Sequence, residues 1–113
     1  MEKHSDFVHS VPKPEWQPLP RPGSVGVHYR VLLRRAGLAI ANLRFAPKAT
    51  IDEHSATLEI DVVCVAGEGF VSIGGQSMPF RCGERVTWPA HVNHRLWTED
   101  TSMETLMVEH HDA

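Results

Sequence analysis

The sequence has little cysteine, no long hydrophobic run and no excess of positive charge. Its two cysteines, Cys64 and Cys82, are too few for a disulfide framework, so we expect a reduced, cytoplasmic setting. No apolar stretch approaches the roughly 18 residues of a membrane span, and the N-terminal residues lack the apolar segment of a secretory signal. The net charge of −3 is unlike that of proteins with a basic surface for nucleic acid. We therefore expect neither a membrane nor a nucleic-acid partner.

Helical periodicity is also lacking, since no stretch repeats its apolar residues at helical spacing over three turns. Short runs rich in Val, Ile, Leu and Phe alternate with polar residues instead, which is typical of half-buried β-strands. The 113 residues suffice for one domain with one core. The sequence therefore predicts an all-β sandwich or barrel. The turn signals between its strands fall at residues 35–37, 47–48, 67–69, 74–75, 82–84 and 99–100.

Proline is concentrated near the N-terminus, where residues 11–23 hold five prolines. Proline lacks the backbone N–H that a helix interior or a central strand requires. We therefore predict that residues 1–23 form an extended arm and that residues 24–113 form a single β-barrel domain. The arm is expected to lie either against this domain or against a partner subunit.

The stretch "PAHVNHRLW", residues 89–97, places two histidines three positions apart at the start of a strand-like run. Together with the upstream turn it resembles the second motif of the cupin family, G-(x)5-P-x-G-(x)2-H. Gly83, Pro89 and His94 match this motif in register, whereas His91 occupies the position at which the family has glycine. His94 is therefore the residue predicted to point into the barrel.

The segment around residues 45–75 resembles the first cupin motif, in which a His-x-His pair and a Glu or Gln precede a strand that ends at glycine. Counting back from Gly67, His54 takes the place of the first histidine. Ala56 stands at the second histidine and Ile60 at the Glu or Gln. The resemblance covers roughly residues 27–109.

This resemblance implies a cupin-type jelly-roll β-barrel, also described as a double-stranded β-helix, and a homodimer. It also implies a pocket inside the barrel in which three histidines and a carboxylate bind Fe, Mn, Zn, Ni or Cu. Members of the family catalyse oxygenation, isomerisation, decarboxylation and cyclisation. The present sequence departs from the family at two of the four ligand positions, those of Ala56 and Ile60.

Alternation of side chains along each strand predicts which residues share the pocket with the two matched histidines. On this basis a small-molecule substrate pocket is predicted to be lined by Ala56, Ile60, Val62, Cys64 and Leu96.

His54 and His94 are the predicted metal ligands and the predicted catalytic residues. A stable transition-metal site usually takes at least three protein ligands, so we sought a third. His91 could turn in from its loop, and Asp52 shares the strand face of His54. Glu59 would need a local bulge to turn inward.

Three functions are compatible with these residues. The first is a metal-dependent cupin enzyme that acts on a small molecule. The second is a metal-free cupin that binds a small molecule in an apolar pocket. The third is a metal-free or engineered cupin scaffold in which a histidine or a carboxylate acts as general base.

Overall fold

The protein is built from antiparallel β-strands, as seen in a computed structural model that describes residues 7–111. Residues 1–6 and 112–113 of the two predicted segments lie outside the described part. Within it, no helix is long and apolar enough to cross a membrane. The eight strands are β1 (Lys13–Pro18), β2 (Ser24–Arg35), β3 (Leu38–His54), β4 (Glu59–Ile73), β5 (Gln76–Arg81), β6 (Arg85–Trp88), β7 (His94–Trp97) and β8 (Met103–His110).

Two long strands close the barrel. β3 has 17 residues and β4 has 15, and each of them pairs with both β7 and β8. The cycle β3–β7–β4–β8 therefore leaves no open edge within it, while β2, β5 and β6 extend the sheets on either side. This architecture confirms the prediction of an all-β jelly-roll barrel.

Two of the predicted turns are bends inside the long strands. β3 pairs with β8 as far as Phe45 and with β7 from Thr50, and Lys48 lies between with a φ of 61°. β4 pairs with β8 as far as Gly67 and with β5 from Glu68. A closed barrel needs such corners, because a strand must bend to pass from one sheet to the other.

Part of the proline-rich segment pairs with its own chain. β1 adds to the outer side of β2, and an edge strand tolerates proline because only one of its sides forms ladder hydrogen bonds. Trp16 fixes this strand, since its ring lies 4.6 Å from the guanidinium of Arg30 and 4.1 Å from that of Arg44. The predicted homodimer, the cytoplasmic setting and the domain boundary at residue 24 stay predictions.

Candidate functional site

A cavity of about 190 Å³ lies inside the barrel. Side chains from β2, β3, β4, β6 and β8 line it, together with Leu19 and Arg21 from the segment between β1 and β2. Most of the lining is apolar. Its polar members are Arg21, Tyr29, Arg34, His54 and Glu109.

His54 lines this cavity, and the buried His94 contacts His54. The last residue of β3 and the first residue of β7 are register partners, so the fold itself brings the two rings together. Their Nε2 atoms are 3.2 Å apart and their ring centroids 4.4 Å apart. The indole of Trp88 stacks on the His94 imidazole with centroids 3.8 Å apart, which holds that ring in place. His94 is almost completely buried.

The other nitrogen of each ring contacts a backbone carbonyl. The Nδ1 of His54 lies 2.8 Å from the carbonyl oxygen of Asp52, and the Nδ1 of His94 lies 3.2 Å from that of Val92. A carbonyl oxygen only accepts hydrogen bonds, so both Nδ1 atoms must donate, and these contacts assign the tautomers. In two neutral imidazoles both Nε2 atoms then carry lone pairs, and these lone pairs face each other. A metal cation bound by both Nε2 atoms would remove the repulsion between these lone pairs.

The donor set fits part of a transition-metal site. Two nitrogens that bind one Zn²⁺ at about 2.0–2.1 Å in a tetrahedral arrangement lie about 3.3–3.4 Å apart, close to the separation of 3.2 Å found here. A metal-binding histidine usually donates its other N–H to a carbonyl or a carboxylate, as both rings do. The two histidines can therefore supply two ligands to one ion.

No third protein ligand joins them among residues 7–111. Within this range, the one group of three ligand-type side chains whose ligand atoms all lie within 4.8 Å of one another is Glu59, Asp61 and His110. His91 is exposed, and its backbone N–H donates to the carbonyl of Ala56 at 2.7 Å. It adopts a φ of 65°, a left-handed conformation that costs a non-glycine residue roughly 1–2 kcal/mol. The set of His54, His94, His91 and Glu59 predicted from the sequence is thus not assembled in one place.

A bulge in β3 explains why Asp52 does not join His54. The register with β7 shifts between Ile51 and His54, and both of these residues line the cavity although they are three positions apart. Strict alternation would place them on opposite faces. The bulge instead leaves the Asp52 side chain exposed, with its carboxylate accepting a hydrogen bond from Thr50 at 3.2 Å.

Glu59 lies in a surface network. Its neighbour Asp61 accepts a hydrogen bond from Thr87 at 2.5 Å and lies 2.8 Å from the Nε2 of His110. These hydrogen bonds lower the pKa of Asp61. The hydrogen bonds of Asp61 thus explain the cluster of Glu59, Asp61 and His110 as a surface network that needs no metal ion. Glu59 is exposed, whereas Ile60 beside it is buried, so no bulge turns Glu59 inward.

Of the five predicted pocket residues, Ile60 lines the cavity. Val62, Cys64 and Leu96 are almost completely buried in the hydrophobic core, and Ala56 packs against that core. Large core side chains such as Phe45 and Met103 fill that part of the barrel, which is why the cavity does not extend there. Burial raises the pKa of the Cys64 thiol, as expected for a core cysteine and not for a nucleophile.

Sequence analysis missed several residues of the site. Tyr29 could have been found, because it lies two positions from both Val27 and Val31 and so shares the inner face of β2 with these buried residues. Arg21 carried no such signal. It reaches the cavity because the backbone N–H of Asp52 donates to the carbonyl of Gly23, which ties the turn before β2 to the end of β3.

The acid sensitivity of the metal-free protein should depend on His94. Burial, and to a lesser degree the charges of His54 and Arg21, lower the pKa of His94 from 6.5 to about 4. Below pH 6.5 the unfolded chain takes up a proton that the folded chain does not bind until about pH 4. The neutral His94 therefore makes its full contribution to the free energy of unfolding above pH 6.5. This contribution, about 3 kcal/mol, is lost as the pH falls to 4. Urea unfolding between pH 7 and pH 4, in the presence of chelator, should show a smaller loss for His94→Gln. An identical loss in both proteins would contradict the assignment.

Comparisons with known proteins support the fold. No protein-family model and no curated protein matches the sequence. Solved structures do match. The polyketide cyclase RemF from Streptomyces resistomycificus superimposes with a TM-score of 0.82 at 17% identity, over 99% of this chain and 81% of that one. An RmlC-like cupin from Shewanella frigidimarina gives 0.79 at 19% identity, over 99% and 96%. The fold is that of the cupins.

A third similar structure, a predicted oxalate decarboxylase from Thermotoga maritima, gives a TM-score of 0.77 at 20% identity, over 88% of this chain and 93% of that one. At such identities the likeness establishes the cupin barrel and does not assign an activity. It does agree with the resemblance to the second cupin motif, because Gly83 and His94 lie in the turn before β6 and at the start of β7.

Proposed function

We propose that this cupin barrel binds a small molecule in its cavity and a divalent transition metal between the Nε2 atoms of His54 and His94. One observation carries the proposal: both Nδ1 atoms contact carbonyl oxygens, which leaves the two Nε2 atoms, 3.2 Å apart, free to act as ligands. A cation between them removes the repulsion between their lone pairs. Imidazole ligands suit Zn, Fe, Cu and Ni.

The residues around the pair have separate tasks in this proposal. His54 and His94 hold the ion, and Trp88 fixes the orientation of the His94 ring by stacking on it. Ile60 offers no ligand atom, so the remaining positions on the ion are open to water or to a ligand in the cavity. A bound ion supplies Lewis-acid polarisation of a ligand oxygen. The named activities of two similar structures, a cyclase and a predicted decarboxylase, are reactions of small molecules.

Metal content measured by elemental mass spectrometry tests the proposal. We expect near-stoichiometric metal in the wild-type protein and at least tenfold less in His94→Ala and in His54→Ala. His91→Ala is the matched control, because His91 is exposed and outside the pair, and it should keep its metal. Circular dichroism confirms that each variant is folded. Unchanged metal content in folded His94→Ala would overturn the proposal.

A metal-free pocket is the second candidate, and the shortage of ligands favours it. Within the described residues the pair has no third His, Cys, Asp or Glu ligand, and the lining is mostly apolar. Without a metal, burial keeps His94 neutral at pH 7, and a neutral imidazole could act as a general base. The melting temperature with and without chelator separates the two candidates. A large drop with chelator excludes this one, since a bound metal stabilises only the folded state.

A further inference from the structure

Arg21 places a positive charge at the wall of the cavity beside the histidine pair. It lies in the turn between β1 and β2 and lines the cavity. The hydrogen bond from the N–H of Asp52 to the carbonyl of Gly23 holds this turn beside the end of β3, where His54 lies, and Arg21 and His54 line the same cavity. No ion pair links Arg21 to another residue of the described range 7–111.

Two arginines line the cavity at different places. Arg21 lies beside the end of β3, whereas Arg34 lies at the hairpin between β2 and β3, where it is the register partner of Ala39. Glu109 is the one acidic residue among those that line the cavity. Its carboxylate lies 3.6 Å from the Nε2 of His111, a residue exposed at the surface. A ligand that carries a negative charge would therefore pair with Arg21.

The rest of the cavity sets the size and polarity of that ligand. An apolar cavity of about 150 Å³ accepts benzene, and the present cavity measures about 190 Å³. One ring with a small substituent therefore fills it. Ile51, Ile60, Leu43 and Trp88 give the wall the apolar and aromatic surface that such a ring requires.

We propose that the cavity takes a small organic anion of the size of a monocyclic aromatic carboxylate, with the carboxylate between Arg21 and the His54–His94 pair. The inference rests on the proposed small-molecule function, and it does not require a metal ion at the histidines. Arginine suits this role because its guanidinium forms charge-assisted, often bidentate, hydrogen bonds with a carboxylate.

Calorimetric titration with benzoate and with benzamide tests the inference, because the two probes share shape and differ in charge. The wild-type protein should bind benzoate at least tenfold more tightly than benzamide. Arg21→Gln should lose this preference, and Arg21→Lys should restore part of it. Arg34→Gln is the matched control, since it removes an arginine that lines the same cavity but lies at the β2–β3 hairpin, opposite Ala39. It should keep the preference.

Metal content, measured on the same samples, separates this inference from the proposed metal site. If the protein contains no metal and its preference for benzoate depends on Arg21, the inference is supported and the proposed metal site is excluded. Equal binding of the two probes, no binding of either, or a preference that Arg21→Gln leaves unchanged overturns the inference, and the metal result then stands by itself.

Discussion

Trp88→Ala is expected to lower the free energy of unfolding by about 3–5 kcal/mol, the usual range for loss of a buried tryptophan. Trp88 is 1% exposed, and it is the register partner of Ile60 on β4. Its removal merges the space of the indole with the existing cavity and leaves one face of the His94 ring without a neighbour. Urea unfolding at neutral pH measures the loss. The metal affinity of the variant should fall as well, because His94 is no longer held in one orientation.

Trp88→Phe is the matched variant for this prediction. The indole Nε1 is buried without a hydrogen-bond partner among the described residues, so its removal breaks no hydrogen bond there. Phenylalanine keeps an aromatic ring beside His94, and we expect a loss of about 1–2 kcal/mol with metal binding retained. Equal losses for the two variants would show that the ring on His94 contributes nothing to stability.

Gly67→Ala is expected to cost at least about 3 kcal/mol or to prevent folding, because it combines a strained backbone with a steric clash. Gly67 has a φ of 71° at the corner where β4 passes between sheets. A Cβ atom there would overlap the carbonyl oxygen of Ser102 and lie 3.0 Å from the Cα of Met103. Both obstacles are backbone atoms of the neighbouring chain segment, so no side-chain rotation relieves them. Soluble yield and thermal unfolding provide the measurement.

Gly75→Ala separates the cost of the strained backbone from the cost of the steric clash. Gly75 has a φ of 84° in the turn between β4 and β5, and a Cβ atom there meets nothing within 4 Å. This variant carries the conformational cost alone, which we expect to be about 1–2 kcal/mol. If Gly67→Ala destabilised the protein no more than Gly75→Ala, the close approach of β4 to the start of β8 would not be the reason for glycine at position 67.

Much of the fold could be predicted because strand alternation and turn residues are local properties. The glycines at positions 74–75 and 83 mark true turns, and the proline-rich segment forms an edge strand, where proline is tolerated. The corners at Lys48 and Gly67 have the same residue signals as turns. Only the pairing of both halves of β3 and β4 with different partners distinguishes a corner from a turn.

The candidate site could be predicted in part. His54 and His94 lie 40 positions apart, yet the two motif matches placed them in one site, and the structure brings their Nε2 atoms within 3.2 Å. The lack of a third protein ligand among residues 7–111 could not be predicted. Parity arguments assume an unbroken strand, and the bulge between Ile51 and His54 places Asp52 and His54 on different faces. For Glu59 the alternation held, and it leaves that side chain in the surface network.

Residue type and spacing along the chain determined an all-β architecture, and the resemblance to two cupin motifs selected His54 and His94 as residues of one site. Tertiary structure alone decided which end of the barrel is filled and which is open, because core packing depends on how side chains from five strands meet. It also decided that Arg21, from a proline-rich segment with no periodic signal, lies at the cavity wall. That placement depends on hydrogen bonds between residues far apart in the chain, such as that from Asp52 to Gly23.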